Sequence, residues 1–332
     1  VEAIARAAPE AWMYGDPDCH DLRHALARHH GLAPENVVVG EGIDGLLGYL
    51  VRLTVALGTP VVTSDGAYPT FNYHVTGHGG VLHKVPYRDD REDLAALLAR
   101  AAEVGARLVY VANPDNPMGS WHGADDIARA IATVPEGTLL VLDEAYADFA
   151  DAAVAPPVDT RAPTVIRLRT FSKAFGLAGL RVGYAMGDAD LIAAFERVRN
   201  HFGVGRVAQA GALAALADQA WLADVVSRTA AARQEIAGIA TAHGLRPLPS
   251  ATNFVTVDCG GTADLARALV ARLAEAGVFV RMPFAPPGDR CIRIGCGTEA
   301  DIAHLSAALS GALAAAREEA VLPQERGSAP RR

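Results

Sequence analysis

Lysine is almost missing. Of the 30 basic residues in the 332-residue sequence only Lys84 and Lys173 are lysines, and the other 28 are arginines. Arginine serves wherever a generic positive charge suffices, but its guanidinium stays protonated and cannot condense with an aldehyde, as a lysine amine can. A retained lysine is therefore a place to look for amine chemistry. Lys84, in the alternating run His83-Lys84-Val85, reads as the surface residue of a strand. Cysteine is scarce too. Cys19, Cys259, Cys291 and Cys296 form no C-x-x-C pair, so neither a disulfide framework nor a zinc site is expected, and the thiols read as the reduced thiols of a cytoplasmic protein. Positive charge is in deficit: a net charge of −8 excludes a polycation seeking nucleic-acid phosphates. Long apolar runs are absent as well. The best, Leu46 to Leu57, is interrupted by Arg52, so no membrane span is expected. The sequence opens at Val1 with no methionine and no signal pattern, which leaves a processed N-terminus or missing residues as two readings.

What is there is the make-up of a globular protein, 51% hydrophobic and 20% charged. An apolar helical pattern runs from Ile4 to Met13. Short β-rich runs then alternate with Ala/Leu-rich helical segments. The strands are expected at Val37–Val39, Val61–Thr63, Val81–Val85, Leu108–Ala112, Leu139–Leu142, Val165–Leu168 and Val182–Met186. Helices are expected between most of them, as at Ile43–Leu57, Leu94–Glu103 and Ala124–Thr133. That rhythm predicts an α/β fold, a wide, mostly parallel sheet covered by helices on both faces, with ligands at the carboxyl ends of its strands. Asp190 to Ala242 is nearly all helical, broken only around Gly203–Gly205. A smaller α+β set follows: strands at Phe254–Val257, Val278–Arg281 and Cys291–Gly295, helices at Ala263–Ala276 and Glu299–Ala316. The expected division is an N-terminal arm (1–30), a large domain (31–235), a small C-terminal domain (236–318) and a flexible tail (319–332).

Four segments carry chemistry. Val37 to Gly45 reads strand, G-x-G-x-x-G, helix, with Asp65 closing the next strand, which satisfies the dinucleotide fingerprint by its letters. Less specifically, it aims the amides of Gly42, Ile43 and Asp44 at an anion, most simply a phosphate; a turn without ligand stays open on this segment alone. Asn113-Pro114-Asp115-Asn116-Pro117-Met118-Gly119 follows a strand, and its prolines leave Asn116 free to hold a ligand oxygen. Leu139 to Tyr146 ends a buried strand with Asp143, Glu144 and Tyr146. A buried carboxylate needs a cationic or hydrogen-bonding partner, although a helix cap by Asp143 is the simpler reading of the segment alone. The last segment, Thr170 to Tyr184, sets Lys173 beside Ser172 and places Arg181 eight residues later, entering a strand. Together an anion cradle, a carboxylate, an amide, a phenol and an amine suit a cofactor with a phosphate, a protonatable ring nitrogen, a phenolic oxygen and an aldehyde. Pyridoxal phosphate is such a cofactor.

From Tyr14-Gly15-Asp16-Pro17 to Cys291-Ile292-Arg293-Ile294-Gly295, and above all in the block Ser172 to Arg181, the sequence resembles the fold-type I, class I/II aminotransferases, most of all their histidinol-phosphate aminotransferase branch. The resemblance implies a large domain with a mostly parallel mixed sheet between helices, a smaller C-terminal domain, and a homodimer acting on small amino and oxo acids without nucleic acid, membrane or metal. Lys173 would form the internal aldimine, Asp143 would pair with the pyridinium nitrogen, and Asn116 and Tyr146 would bind the ring phenolate. Tyr68 would stack on the ring. Gly42, Ile43, Ser172 and Arg181 would hold the phosphate, with Tyr14 reaching it from a second subunit. Arg293 would clamp the substrate's anionic group with Arg281 nearby, and Asn200 and His201 are further substrate-binding candidates. The implied reaction moves an amino group between an amino acid, or an amino-alcohol phosphate, and a 2-oxo acid. Other chemistry on the same site, decarboxylation of an amino-acid phosphate or elimination, is the alternative. The sequence departs from the family's habits at Met118, at the turn Gly-Glu-Gly-Ile-Asp-Gly and at His201, and lacks the family's opening segment before Val1.

Overall fold

The computed structural model describes residues 1–150, 154 and 156–321. Seven strands form the main sheet: β1 (Val37–Gly40), β2 (Pro60–Ser64), β3 (Val81–Val85), β4 (Leu108–Ala112), β5 (Leu139–Asp143), β6 (Val165–Thr170) and β7 (Gly183–Gly187). Their order is β1-β7-β6-β5-β4-β2-β3, with β7 antiparallel to both neighbours and the remaining pairs parallel. Every residue of β4, β5 and β7 is buried, as expected of strands covered on both faces. The edge strand β3 instead exposes Lys84, which pairs with Asp65 at 3.1 Å and puts charge on a sheet edge.

Helices α1 (Glu2–Ala7), α2 (His20–His30), α3 (Gly42–Thr54), α4 (Thr70–Gly77), α5 (Leu94–Val104), α6 (Ala124–Ala132), α7 (Ala189–Ala194) and α8 (Arg206–Ala217) surround this sheet. α3 and α4 bury Leu46, Leu50, Phe71 and Val75 against one face. α5 and α6 bury Leu97, Ala101 and Ile127 against the other. Local chemistry sets several ends: the Asp93 carboxylate accepts from the Ala96 amide to start α5, and Gly105, in the left-handed region at φ 62°, stops it. The long α9 (Gln219–Ala242) leads to a three-stranded antiparallel sheet, β10-β9-β8, made of β8 (Arg246–Pro247), β9 (Phe254–Asp258) and β10 (Cys291–Gly295). α10 (Ala263–Glu275) and α11 (Glu299–Val321) pack with it around Leu269, Leu273, Ile292 and Leu309. Residues 235 and 236 lie within the unbroken α9, whose Ile236 and Ala240 already belong to this second core. Of the tail, 319–321 continue α11, and 322–332 lie outside the described residues.

Three expectations are corrected. Val278–Arg281 is not a strand. The Val278 amide closes back onto Leu273 at the end of α10, and only Arg281 bridges β10, at Arg293. Ile4–Met13 is not one helix, because Pro9, without an amide hydrogen, sits in a short 3-10 turn that follows α1. α3 ends at Thr54, short of Leu57, where Val55 turns extended. Arg246–Pro247 is a strand that was too short to show a periodicity.

Candidate active site

The carboxyl ends of β4, β5 and β6 lie side by side, with Ala112 opposite Asp143 and Asp143 opposite Leu168. The segments that leave them converge on one cavity, whose wall includes Asn116, Asp143, Tyr146, Ser172 and Lys173, closed by Tyr68 and by Ile43 of α3. Larger grooves, ≈ 450 Å³ and ≈ 390 Å³, flank the turn at Arg88–Arg91, but neither contains a lysine.

Asp143 is buried and accepts hydrogen bonds from the Tyr110 hydroxyl at 2.7 Å and the Ala145 amide at 2.9 Å. Burial holds its carboxyl above the usual carboxylate range, and these two donors together with Lys173 oppose that shift. Lys173 lies over the Tyr146 ring, its Nζ 5.1 Å from the centroid. Burial lowers its pKa; Tyr68 and Asp143 push it back up, while Arg293 and Arg181 lower it further. The site thus holds a lysine that releases its proton more easily than a surface lysine does.

At the other end is an anion cradle. Arg181, in the left-handed region at φ 53°, donates from Nη1 to Ser172 Oγ at 3.2 Å and to the Ala178 carbonyl at 3.0 Å. Its second guanidinium nitrogen lies against Gly42, where a Cβ would approach it to 2.6 Å. A side chain at Gly42 would thus displace the guanidinium, and the glycine also supplies the φ of +78° that turns the chain into α3. The first-turn amides of α3 and this guanidinium are donors of the kind that suit an anion.

A family model described as "Aminotransferase class I and II" matches residues 1–309. The chain is 37% identical to a histidinol-phosphate aminotransferase of Mesorhizobium japonicum, over 90% of this chain and 82% of that one, and 33% identical to the Bacillus subtilis enzyme of that name. The crystal structure of histidinol-phosphate aminotransferase from Sinorhizobium meliloti in complex with pyridoxal-5′-phosphate superposes with a TM-score of 0.92 at 54% identity, covering 94% of this chain and 86% of that one. The chain belongs to the class I and II aminotransferases. It is a pyridoxal-phosphate-dependent enzyme. A Thermus thermophilus aspartate aminotransferase mutant, 24% identical with a TM-score of 0.81, shares the fold.

The residues present fit that cofactor: the Gly42 and Arg181 cradle suits a phosphate, the buried Asp143 suits a protonated ring nitrogen, and Lys173 supplies an amine in the same cavity. Asn116, Tyr68 and Tyr146 line the same cavity. Arg293 is on β10, over the Phe254 ring, and donates to Asn116 Oδ1. Arg281 pairs with Arg293 through its backbone and lies over Phe279. Arg293 meets the cavity through Asn116, Arg281 does not line it, and three further sequence candidates lie away from it. Tyr14 is exposed and packs on Phe202, 4.7 Å between ring centroids. Asn200 donates to Glu41 Oε1, and His201 is exposed beside Glu196. Tyr110 was not foreseen in this aminotransferase. Its signal was legible in the alternation of Leu108, Tyr110 and Ala112 on a buried strand, since a buried phenol needs a hydrogen-bond partner.

Proposed function

We propose that this aminotransferase takes its amino group from a donor carrying a doubly charged anion, an amino-alcohol phosphate of the histidinol phosphate type, and passes it to a 2-oxo acid. One observation carries the reading. Arg281 and Arg293 are direct partners of an antiparallel bridge, so their side chains leave the same face, and among the described residues neither makes a salt bridge. Two guanidiniums without a carboxylate partner favour a phosphate dianion over a lone carboxylate. The relatives that bear the name histidinol-phosphate aminotransferase support the same donor.

When bound, pyridoxal phosphate supplies an electron-withdrawing ring that acidifies the donor's Cα–H. Asp143, whose charged form the hydrogen bonds from Tyr110 and Ala145 favour, keeps a ring nitrogen protonated. Lys173, half-buried beside Tyr146, accepts a proton from Cα and returns it. Gly42, Ile43, Ser172 and Arg181 hold the cofactor phosphate, Asn116 and Tyr146 the ring oxygen, and Tyr68 covers the ring. Arg293 leaves Asn116 to grip the substrate, with Arg281 beside it. The exposed aromatics Trp12, Tyr14 and Phe202 support a homodimer in which Tyr14 reaches a second copy's phosphate cradle. The unpaired, mostly buried cysteines support a cytoplasmic setting. The division into arm, large domain and small domain puts the cavity in the large domain and both anchoring arginines in the small one.

A donor screen with 2-oxoglutarate as acceptor tests the reading. Phosphorylated amino alcohols are expected to exceed monocarboxylate amino acids in kcat/KM by a factor on the order of 10 or more, the worth of one charge-assisted contact. A best donor with no second anionic charge overturns it.

A further inference from the structure

The chain between β3 and α5 makes a tight reversal. Arg88 and Arg91 bridge each other at 2.9 and 3.0 Å, and the central pair, Asp89 and Asp90, have φ of 52° and 60°. Two successive left-handed residues make a turn whose usual occupants are asparagine and glycine. Both aspartates hold this conformation, yet their side chains do different things. The Asp89 carboxylate is 93% exposed and reaches no closer than 3.9 Å to Arg88. The Asp90 carboxylate is 18% exposed and crosses to the small domain. Arg290 Nη2 donates to both of its oxygens, at 2.8 and 2.9 Å, and Arg246 Nη2 lies 3.4 Å from Oδ2. Arg290 Nε and Arg246 Nη2 also donate to Asp258 Oδ2, at 3.0 and 2.7 Å. Acid and base alternate around this ring of four, and Asp90 is its large-domain member.

Arg290 immediately precedes β10, three positions before Arg293. Two polar contacts thus tie β10 to the large domain, at Asp90 through Arg290 and at Asn116 through Arg293, beside the packing of its Cys291 with Met118 and Tyr87. The second tie must open if Arg293 is to take a substrate anion. The first then remains to keep β10 in register with the cavity. We propose that Asp90 is a positioning residue for substrate binding: through Arg290 it holds β10 against the large domain and so sets Arg293 over the pocket. This rests on the reading of Arg293 as the substrate anchor.

The test uses holoenzyme carrying Asp90→Asn or Asp90→Gly. Both residues suit the left-handed position better than aspartate, so the turn is kept while the charge is removed. Asp89→Asn is the control in the same turn, and Arg293→Ala is measured in parallel. KM for a phosphorylated amino donor should rise about 3- to 10-fold in both Asp90 variants, the loss of a partly buried ion pair. Their kcat and cofactor affinity should be unchanged, and amide hydrogen exchange at Arg281 and Arg293 should quicken. Asp89→Asn should match the parent. A raised KM in Arg293→Ala but not in the Asp90 variants overturns the positioning role alone. An unchanged KM in Arg293→Ala overturns the substrate anchor, and with it the proposal, even if exchange in β10 quickens. A fall in kcat, cofactor affinity and melting temperature together, with KM unmoved, makes Asp90 merely structural and also overturns it.

Discussion

Tyr110 on β4 donates its hydroxyl hydrogen to Asp143 at the end of β5, at 2.7 Å and out of contact with solvent. Stacking on Phe71, with centroids 4.7 Å apart, keeps the phenol in place. The bond favours the charged form of a carboxyl whose pKa burial raises. Tyr110→Phe should therefore raise the pKa of Asp143 and weaken its hold on a protonated ring nitrogen. Equilibrium titration near pH 7 should show cofactor affinity reduced about 10-fold, the worth of one hydrogen bond to a charged group. Unchanged affinity would mean that the Ala145 amide and Lys173 suffice.

Lys173 is the amine expected to join the cofactor covalently. Borohydride reduction of the holoenzyme followed by peptide mass analysis should find the pyridoxyl group on Lys173. Lys84 is a built-in control, since it is half-exposed and paired with Asp65 on the far edge strand. Labelling at Lys84 would refute the assignment.

Arg293→Ala removes a guanidinium that stands over Phe254 and reaches Asn116. KM for the amino donor should rise by a factor on the order of 10 to 100, with cofactor absorbance retained. Loss of cofactor with KM unmoved in the active fraction would make the residue structural and direct the search for the anchor to Arg281, Asn200 and His201.

Glu144 is buried between Arg167 and Arg169, at 2.5 and 2.9 Å. Burial opposes its ionisation, but the two guanidiniums outweigh it and hold the carboxyl below its usual range. A depressed carboxylate stabilises the fold above its unfolded value, about 4.3, and the contribution is lost as pH falls through the lower folded value. Glu144→Gln, which leaves the buried Arg167 and the partly buried Arg169 short of their shared anion, should cost about 3–5 kcal/mol at neutral pH. Denaturant melts of both proteins should converge as pH drops below about 4. A gap that stays constant with pH would show that the loss is one of packing.

If Tyr14 serves a second copy, light scattering should find a particle of two chains, and Tyr14→Ala should loosen cofactor binding without changing that mass. A fully active monomer would rule the arrangement out.

Much of the site was legible in the residues alone, because its chemistry is concentrated in short segments at strand ends. A near-absence of lysine isolates Lys173, apolar runs ending in acid mark Asp143, and glycine spacing marks the cradle at Gly42. The central strands could be read because burial on both faces demands uninterrupted apolar residues. What the sequence could not reveal depends on which strands become neighbours. Tyr110 and Asp143 are 33 positions apart, and Asp90 and Arg290 are 200 apart. Periodicity within a segment carries no information about such pairs. They exist only once the order β6-β5-β4-β2-β3 is set and the small sheet docks on the large one. The segment at Val278 shows the same limit from the other side, since its β-rich composition was overruled when its amide closed the preceding helix. Local composition thus determined which chemistry the chain carries, and long-range packing decided which groups hold it in place.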